Sequence, residues 1–291
     1  MFYAAMAVLS FLVQAVSNKE FARRFPGDMA GMMAYNTIML LITALICGAI
    51  CGFQPPTPAT LMVGVPFGAL FVVTILLCLL AMAKGPMGPS VLLLNMSMLI
   101  TIVFGLLQWG EGLNAMKGAG IACVLAVLTL SAFSGGKGGR KGSLPWLLIA
   151  LGALVLNGVL SVLQKTMTLM EPETGALVFG FWAFLSGSLV SFILLIVRTI
   201  VKRERVRDWF KAPRELLACA LGCGASTAGG NVMLMTAMIY VPVVILSPLV
   251  QGSIIMLVWV VSVVFYREKV TWNGLAMIAL GMLGVALLGM A

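Results

Sequence analysis

Ten apolar stretches separated by short polar gaps divide the chain, at residues 2 to 17, 29 to 50, 61 to 83, 87 to 107, 115 to 132, 144 to 163, 175 to 197, 216 to 240, 243 to 265 and 272 to 289. Crossing a hydrocarbon core roughly 30 Å thick takes about 20 helical residues, and most of these stretches reach that length with few charges. Lipid offers no hydrogen-bond partner to the backbone, so each stretch predicts a helix. The pattern predicts an all-α integral membrane protein with ten transmembrane helices.

The polar gaps orient it. Numbering them loops 1 to 9, the odd loops hold sixteen Lys and Arg, and the side of the even loops holds two, Lys165 in loop 6 and Lys117 at the start of the fifth stretch. Positive loops stay in the cytoplasm, so the odd loops are expected inside and both termini outside, in a multi-pass protein of the cell inner (cytoplasmic) membrane. Lys84 and Lys165, near span ends, read as cations snorkelling to the interface.

Composition changes the picture little. A chain 62% hydrophobic and 9% charged has the bilayer as its main solvent. Its net charge of +9 sits largely in loops, which reads as an orientation signal and not as a nucleic-acid footprint. Phe2 begins the first stretch with no basic segment ahead of it, so that stretch reads as a span, not a cleaved signal peptide. The six cysteines all lie in apolar runs or, for Cys51, at the edge of one, which argues against an extracellular disulfide framework. Cys47 with Cys51 and Cys219 with Cys223 each share a helix face. Without His or a nearby carboxylate they read as packing residues, so neither metal nor cofactor is expected.

The second half of the chain echoes the first. Asn18, Lys19 and Pro26 return 146 positions on as Gln164, Lys165 and Pro172. Pro86, Asn95, Ser97 and Gly118 return 156 positions on as Pro242, Gln251, Ser253 and Gly274, and Glu111 returns 157 on as Glu268. A duplicated unit with an odd number of spans is inverted in the membrane. Two inverted five-helix repeats are expected, residues 1–134 and 144–291, joined by a Gly/basic linker at 135–143. The basic run from Lys202 to Lys211 reads equally as an interfacial amphipathic segment or a solvated loop.

Polar residues inside the spans carry the candidate chemistry. The chain has no His and only two Asp, Asp28 and Asp208, and no apolar run contains Glu. A buried carboxylate for proton coupling is therefore missing, and Glu111 and Glu268 at span ends read as turn and topology elements. Gln14, Asn36, Asn95, Asn157, Asn231 and Gln251 remain, amides whose exposure to lipid would cost several kcal/mol. With Ser97, Ser161, Trp182, Tyr240 and Ser253 they form a candidate cavity for a compact polar solute, each with helix-to-helix hydrogen bonding as its structural alternative. Pro86 opens span 4 and Pro248 interrupts span 9, and both are candidate gating or kink positions. The glycines at 274, 281 and 284 read as close packing, within the fold or between subunits.

Ser247-Pro248-Leu249 in span 9, Glu268 at its end and the glycines of the last span, with a weaker echo at Asn95, Ser97, Glu111 and Gly118, resemble the drug/metabolite transporter superfamily in its ten-span, EamA-type form. The resemblance covers the whole chain. It implies two inverted five-helix repeats around a central cavity lined mainly by spans 1, 3, 4, 6, 8 and 9, and alternating access. Span 1 lacks the acidic residue that small multidrug members use, which argues against proton-coupled drug export.

These readings converge on a secondary transporter, not an enzyme: a uniporter or exchanger, with export as one option, for a small polar metabolite such as an amino acid. Its expected partners are that solute and the lipid bilayer, with no nucleic acid, and its state is monomer or homodimer. The competing classes are a non-transporting membrane scaffold or assembly subunit and an intramembrane enzyme. The enzyme would have only Cys, Lys and Tyr for its chemistry.

Overall fold

The computed structural model describes residues 1–24, 29–84, 93–134, 144–172, 175–203, 213–266 and 272–290. They form ten principal helices: α1 (Phe2–Arg24), α2 (Met29–Cys51), α3 (Pro58–Lys84), α4 (Met98–Gln108), α5 (Ala115–Ser134), α6 (Leu144–Met170), α7 (Gly175–Lys202), α8 (Pro213–Tyr240), α9 (Val243–Tyr266) and α10 (Trp272–Gly289). The described residues contain no β-strand. Five helices, α2, α3, α6, α7 and α8, are long and apolar enough to cross a membrane, and the other five carry shorter apolar segments. The linker at 135–143, Pro86, Glu268 and most of the basic run from Lys202 to Lys211 lie outside the described residues.

Among the described residues every apolar stretch contains a helix, but the ends differ. α1 runs on to Arg24 and α6 to Met170, beyond the last apolar positions. Helical hydrogen bonds need no apolar side chains, so the apolar pattern sets the length suited to lipid and not the point where the backbone stops coiling. Span 4 departs most. Residues 93–95 are helical, a turn follows at Met96 and Ser97, and only then does α4 begin. Pro66 stands inside α3, a second interior proline beside the Pro248 of α9.

Large apolar side chains face outward along several helices. On α6, Leu144, Leu148, Leu151 and Val155 are exposed at helical spacing, while Trp146, Ala150 and Ala153 are buried on another face. A stripe of that kind is unfavourable in water and suits a lipid surround.

The chain divides into two compact units, and neither is a sequence half. The first comprises Val73–Lys165 and Ala237–Ala291, with Met1, and the second comprises Phe2–Val72 and Thr166–Thr236. In the first unit α5 packs on α10 and α9, and α9 also packs on α4. Gly281 meets Met256 of α9, and Gly284 meets Cys123 of α5, so these small residues serve packing within the fold. In the second unit α2 packs on α7. Ser188 there donates to the Thr37 carbonyl at 3.0 Å, and Thr37 hydroxyl meets Ser191 hydroxyl at 3.0 Å. α3 and α7 cross closely at Gly68 and Gly187, where a methyl on Gly68 would strike the Ala183 carbonyl and Ser186 hydroxyl. Only glycine fits at that crossing. Phe67, Phe71, Phe179 and Phe184 fill the space beside it, with edge-to-face contacts between α3 and α7 at centroid distances of 5.2 to 6.0 Å.

Candidate functional site

The break ahead of α4 is where the first unit gathers its polar groups. Across Met96 and Ser97 the backbone changes to tighter bonds, with Ser97 N–H donating to the Leu94 carbonyl at 3.2 Å and Leu99 N–H to Met96 at 2.9 Å. Such bonds join residues three apart and leave carbonyls imperfectly used. Asn157 on α6 adds a side-chain donor at this turn. Its Nδ2 reaches the Ser97 hydroxyl at 2.7 Å and the Leu94 carbonyl at 3.5 Å. Ser161, one turn further on α6, donates to the Asn157 carbonyl at 3.3 Å. The sequence-derived candidates Ser97, Asn157 and Ser161 thus belong to one neighbourhood, and Asn95 lies two residues before Ser97.

Thr101 adds to it. It lies one turn after Ser97 on α4, is 1% exposed, and its hydroxyl is the one buried side-chain polar atom without a hydrogen-bond partner among the described residues. A buried hydroxyl in that state is costly unless something else satisfies it. Nothing in the sequence distinguishes Thr101 from the other Thr residues in apolar runs, so it escapes a reading based on amides.

The candidates of the second unit are arranged differently. Gln14 Nε2 on α1 donates to the Thr227 hydroxyl of α8 at 2.7 Å, and Asn231 donates back to the Thr227 carbonyl at 2.8 Å. One further turn along, Asn18 Oδ1 accepts from Tyr35 at 2.9 Å and from Cys223 Sγ at 3.3 Å. Asn36 is buried on α2. Trp182 donates its indole N–H to the Gln54 carbonyl at 3.2 Å at the α2–α3 connection. Cys223 is thereby a packing residue between α1, α2 and α8, and Cys47 packs against Gly180 of α7. An open recess of about 430 Å³ lies beside the ends of α1 and α8, lined by Ser17, Glu20, Arg214, Glu215 and Cys219 among others, and includes none of the sequence-derived candidates.

Gln251 and Ser253 are half-buried on α9, after the buried Pro248, whereas Tyr240 is 70% exposed at the end of α8. The turn between these two helices is held by two charges. Glu111 places one carboxylate oxygen on Val243 N–H and the other on Val244 N–H, each at 2.9 Å. It therefore caps α9, a larger role than a local turn element. Lys165 does not snorkel. It is 7% exposed, its ammonium donates to the Met238 carbonyl at 2.6 Å, and it lies 4.0 Å from Glu111. The reason is Pro242, which stands four residues after Met238 and has no N–H to offer that carbonyl. Lys117, the other cation on the side of the even loops, donates to the Gly112 carbonyl at 2.7 Å. Both lysines that depart from the charge bias are thus occupied with backbone carbonyls.

All-helical construction, helices long enough to span and a lipid-suited exterior define a multi-pass membrane protein. The model of the EamA-like transporter family matches residues 144–290, half of the chain, and the chain belongs to that family, part of the drug/metabolite transporter superfamily. Members are transporters and not enzymes. A crystal structure of a protein shares the fold, with a TM-score of 0.72 at 19% identity over 98% of this chain and 94% of that one. No curated protein sequence matches the chain.

Proposed function

We propose that this chain is a secondary carrier that moves a small polar metabolite, such as an amino acid, across the cytoplasmic membrane by alternating access. The observation that carries the reading is the irregular turn at the entry to α4, where Asn157, Ser97 and Thr101 concentrate hydrogen-bonding groups. Many transporters build their substrate sites where a membrane helix is interrupted. Neutral donors and acceptors suit a compact polar solute, and without a mid-span carboxylate the carrier works as a uniporter or exchanger that follows solute gradients. Ten spans in two inverted repeats are supported by the pairing of α2 with α7, α4 with α9 and α5 with α10, each helix with the one five places later. Gln251 and Ser253 then stand as the second-repeat counterparts of Asn95 and Ser97. The termini are outside.

Purified protein in liposomes, offered labelled amino acids, sugars and nucleotides, is expected to give saturable flux for one class. Absence of flux for every class would reject the carrier reading. A reporter fused after Ala291 is expected outside and one placed between Lys137 and Lys141 inside, and a cytoplasmic C-terminal reporter would reverse the orientation.

A further inference from the structure

The α8–α9 turn joins two helix ends of opposite polarity, and each end is met by a buried charge of the complementary sign. At the end of α8, Met238 carries a carbonyl that Pro242 cannot satisfy, and Lys165 takes it at 2.6 Å. At the start of α9, the first two N–H groups, of Val243 and Val244, have no partner within their helix, and Glu111 takes both. The two charged side chains are 4.0 Å apart and each is 9% exposed, so they also neutralise one another. Gly105 of α4 makes this possible, since a methyl there would lie 3.0 Å from both the Glu111 carboxylate and Val244. The participants come from α6, the α4–α5 connection, α8 and α9. They are also positions that the sequence duplicates: Lys165 echoes Lys19, Pro242 echoes Pro86, and Glu111 is echoed by Glu268.

We infer that Glu111 and Lys165 are positioning residues for transport, clamping the α8–α9 turn so that α9, with Pro248 one turn and a half inside it, moves from a fixed end. The inference rests on the carrier reading. It differs from an ordinary ion pair in one decisive respect, because the charges are matched to helix ends and not only to each other. An ordinary pair survives exchange of its partners. This clamp does not, since the exchanged lysine would face the N–H groups of α9 and the exchanged glutamate the carbonyl of α8.

The test combines amide hydrogen exchange over residues 238–246 with flux in liposomes. Glu111→Gln, which keeps the shape but only one acceptor oxygen, is expected to speed exchange at Val243 and Val244 by about tenfold and to lower maximal flux with KM nearly unchanged. Lys165→Arg is expected to retain both properties, and the double exchange Glu111→Lys with Lys165→Glu to recover neither. If Glu111→Gln does not fold, Lys165→Met carries the same comparison from the α8 end. Unchanged exchange at Val243 and Val244, or recovery by the double exchange, would overturn the clamp. Faster exchange with wild-type flux would overturn the positioning role. Absence of flux in the wild type would instead defeat the carrier reading, a separate result because the exchange comparison needs no substrate.

Discussion

Gln14 and Asn157 are both amides on membrane helices, and both find a hydroxyl at 2.7 Å. What lies behind the hydroxyl differs. Thr227 sits on an unbroken helix whose backbone is already bonded, and the contact joins two intact surfaces. Ser97 sits at a break, and the amide that reaches it also serves the loosely held Leu94 carbonyl. We therefore propose that the same chemistry is helix packing in the second unit and a binding site in the first. An amide in a span becomes informative about function through the state of the backbone it meets.

That contrast is sharpest where the second unit is most rigid. Gly68→Leu places a side chain into the Ala183 and Gly187 backbone, which cannot yield as a side chain would. A loss of about 3 kcal/mol or more is expected, read as a fall in the thermal unfolding midpoint in detergent or as failure to recover folded protein. Tolerance of leucine would mean that the crossing is looser than its geometry implies. Next in size is Asn157→Ala, which is expected to lower flux about tenfold while the protein remains folded, the equivalent of about 1.4 kcal/mol. Equal flux in mutant and wild type would place the amide with Gln14 as packing. The smallest effect is expected for Gln14→Ala, a stability loss of about 0.6 to 2 kcal/mol with flux unchanged. A flux defect there as large as that of Asn157→Ala would erase the distinction between the units.

Helices were legible because hydrophobic length is imposed directly by the bilayer, and among the described residues every apolar stretch contains a helix. Family membership was legible for a related reason, since Pro248 and the glycines at 281 and 284 answer to backbone constraints that sequence carries openly. The break at Met96 and Ser97 was not, because an apolar run contains nothing that distinguishes a continuous helix from an interrupted one. The roles of Glu111 and Lys165 were also hidden. Each lies near a span end, where a charge is ordinarily solvated, and only the packing of four chain segments brings them to one turn. Pro242 was the available signal: a proline four residues after a carbonyl near a helix end leaves that carbonyl to be satisfied from elsewhere. The duplicated Lys and Glu were seen as repeat markers, with no way of learning from spacing alone what they hold.

The central claim is that a solute binds at the break before α4. It is tested most directly by introducing Ser97→Cys into a variant with the six native cysteines replaced, and measuring alkylation during turnover with and without the transported solute. The account predicts that saturating solute slows alkylation of the cysteine at 97, while a cysteine placed at Ser188 in the α2–α7 seam reacts at the same rate in both conditions. Equal rates at position 97 with and without solute, under conditions where flux is measurable, would contradict it.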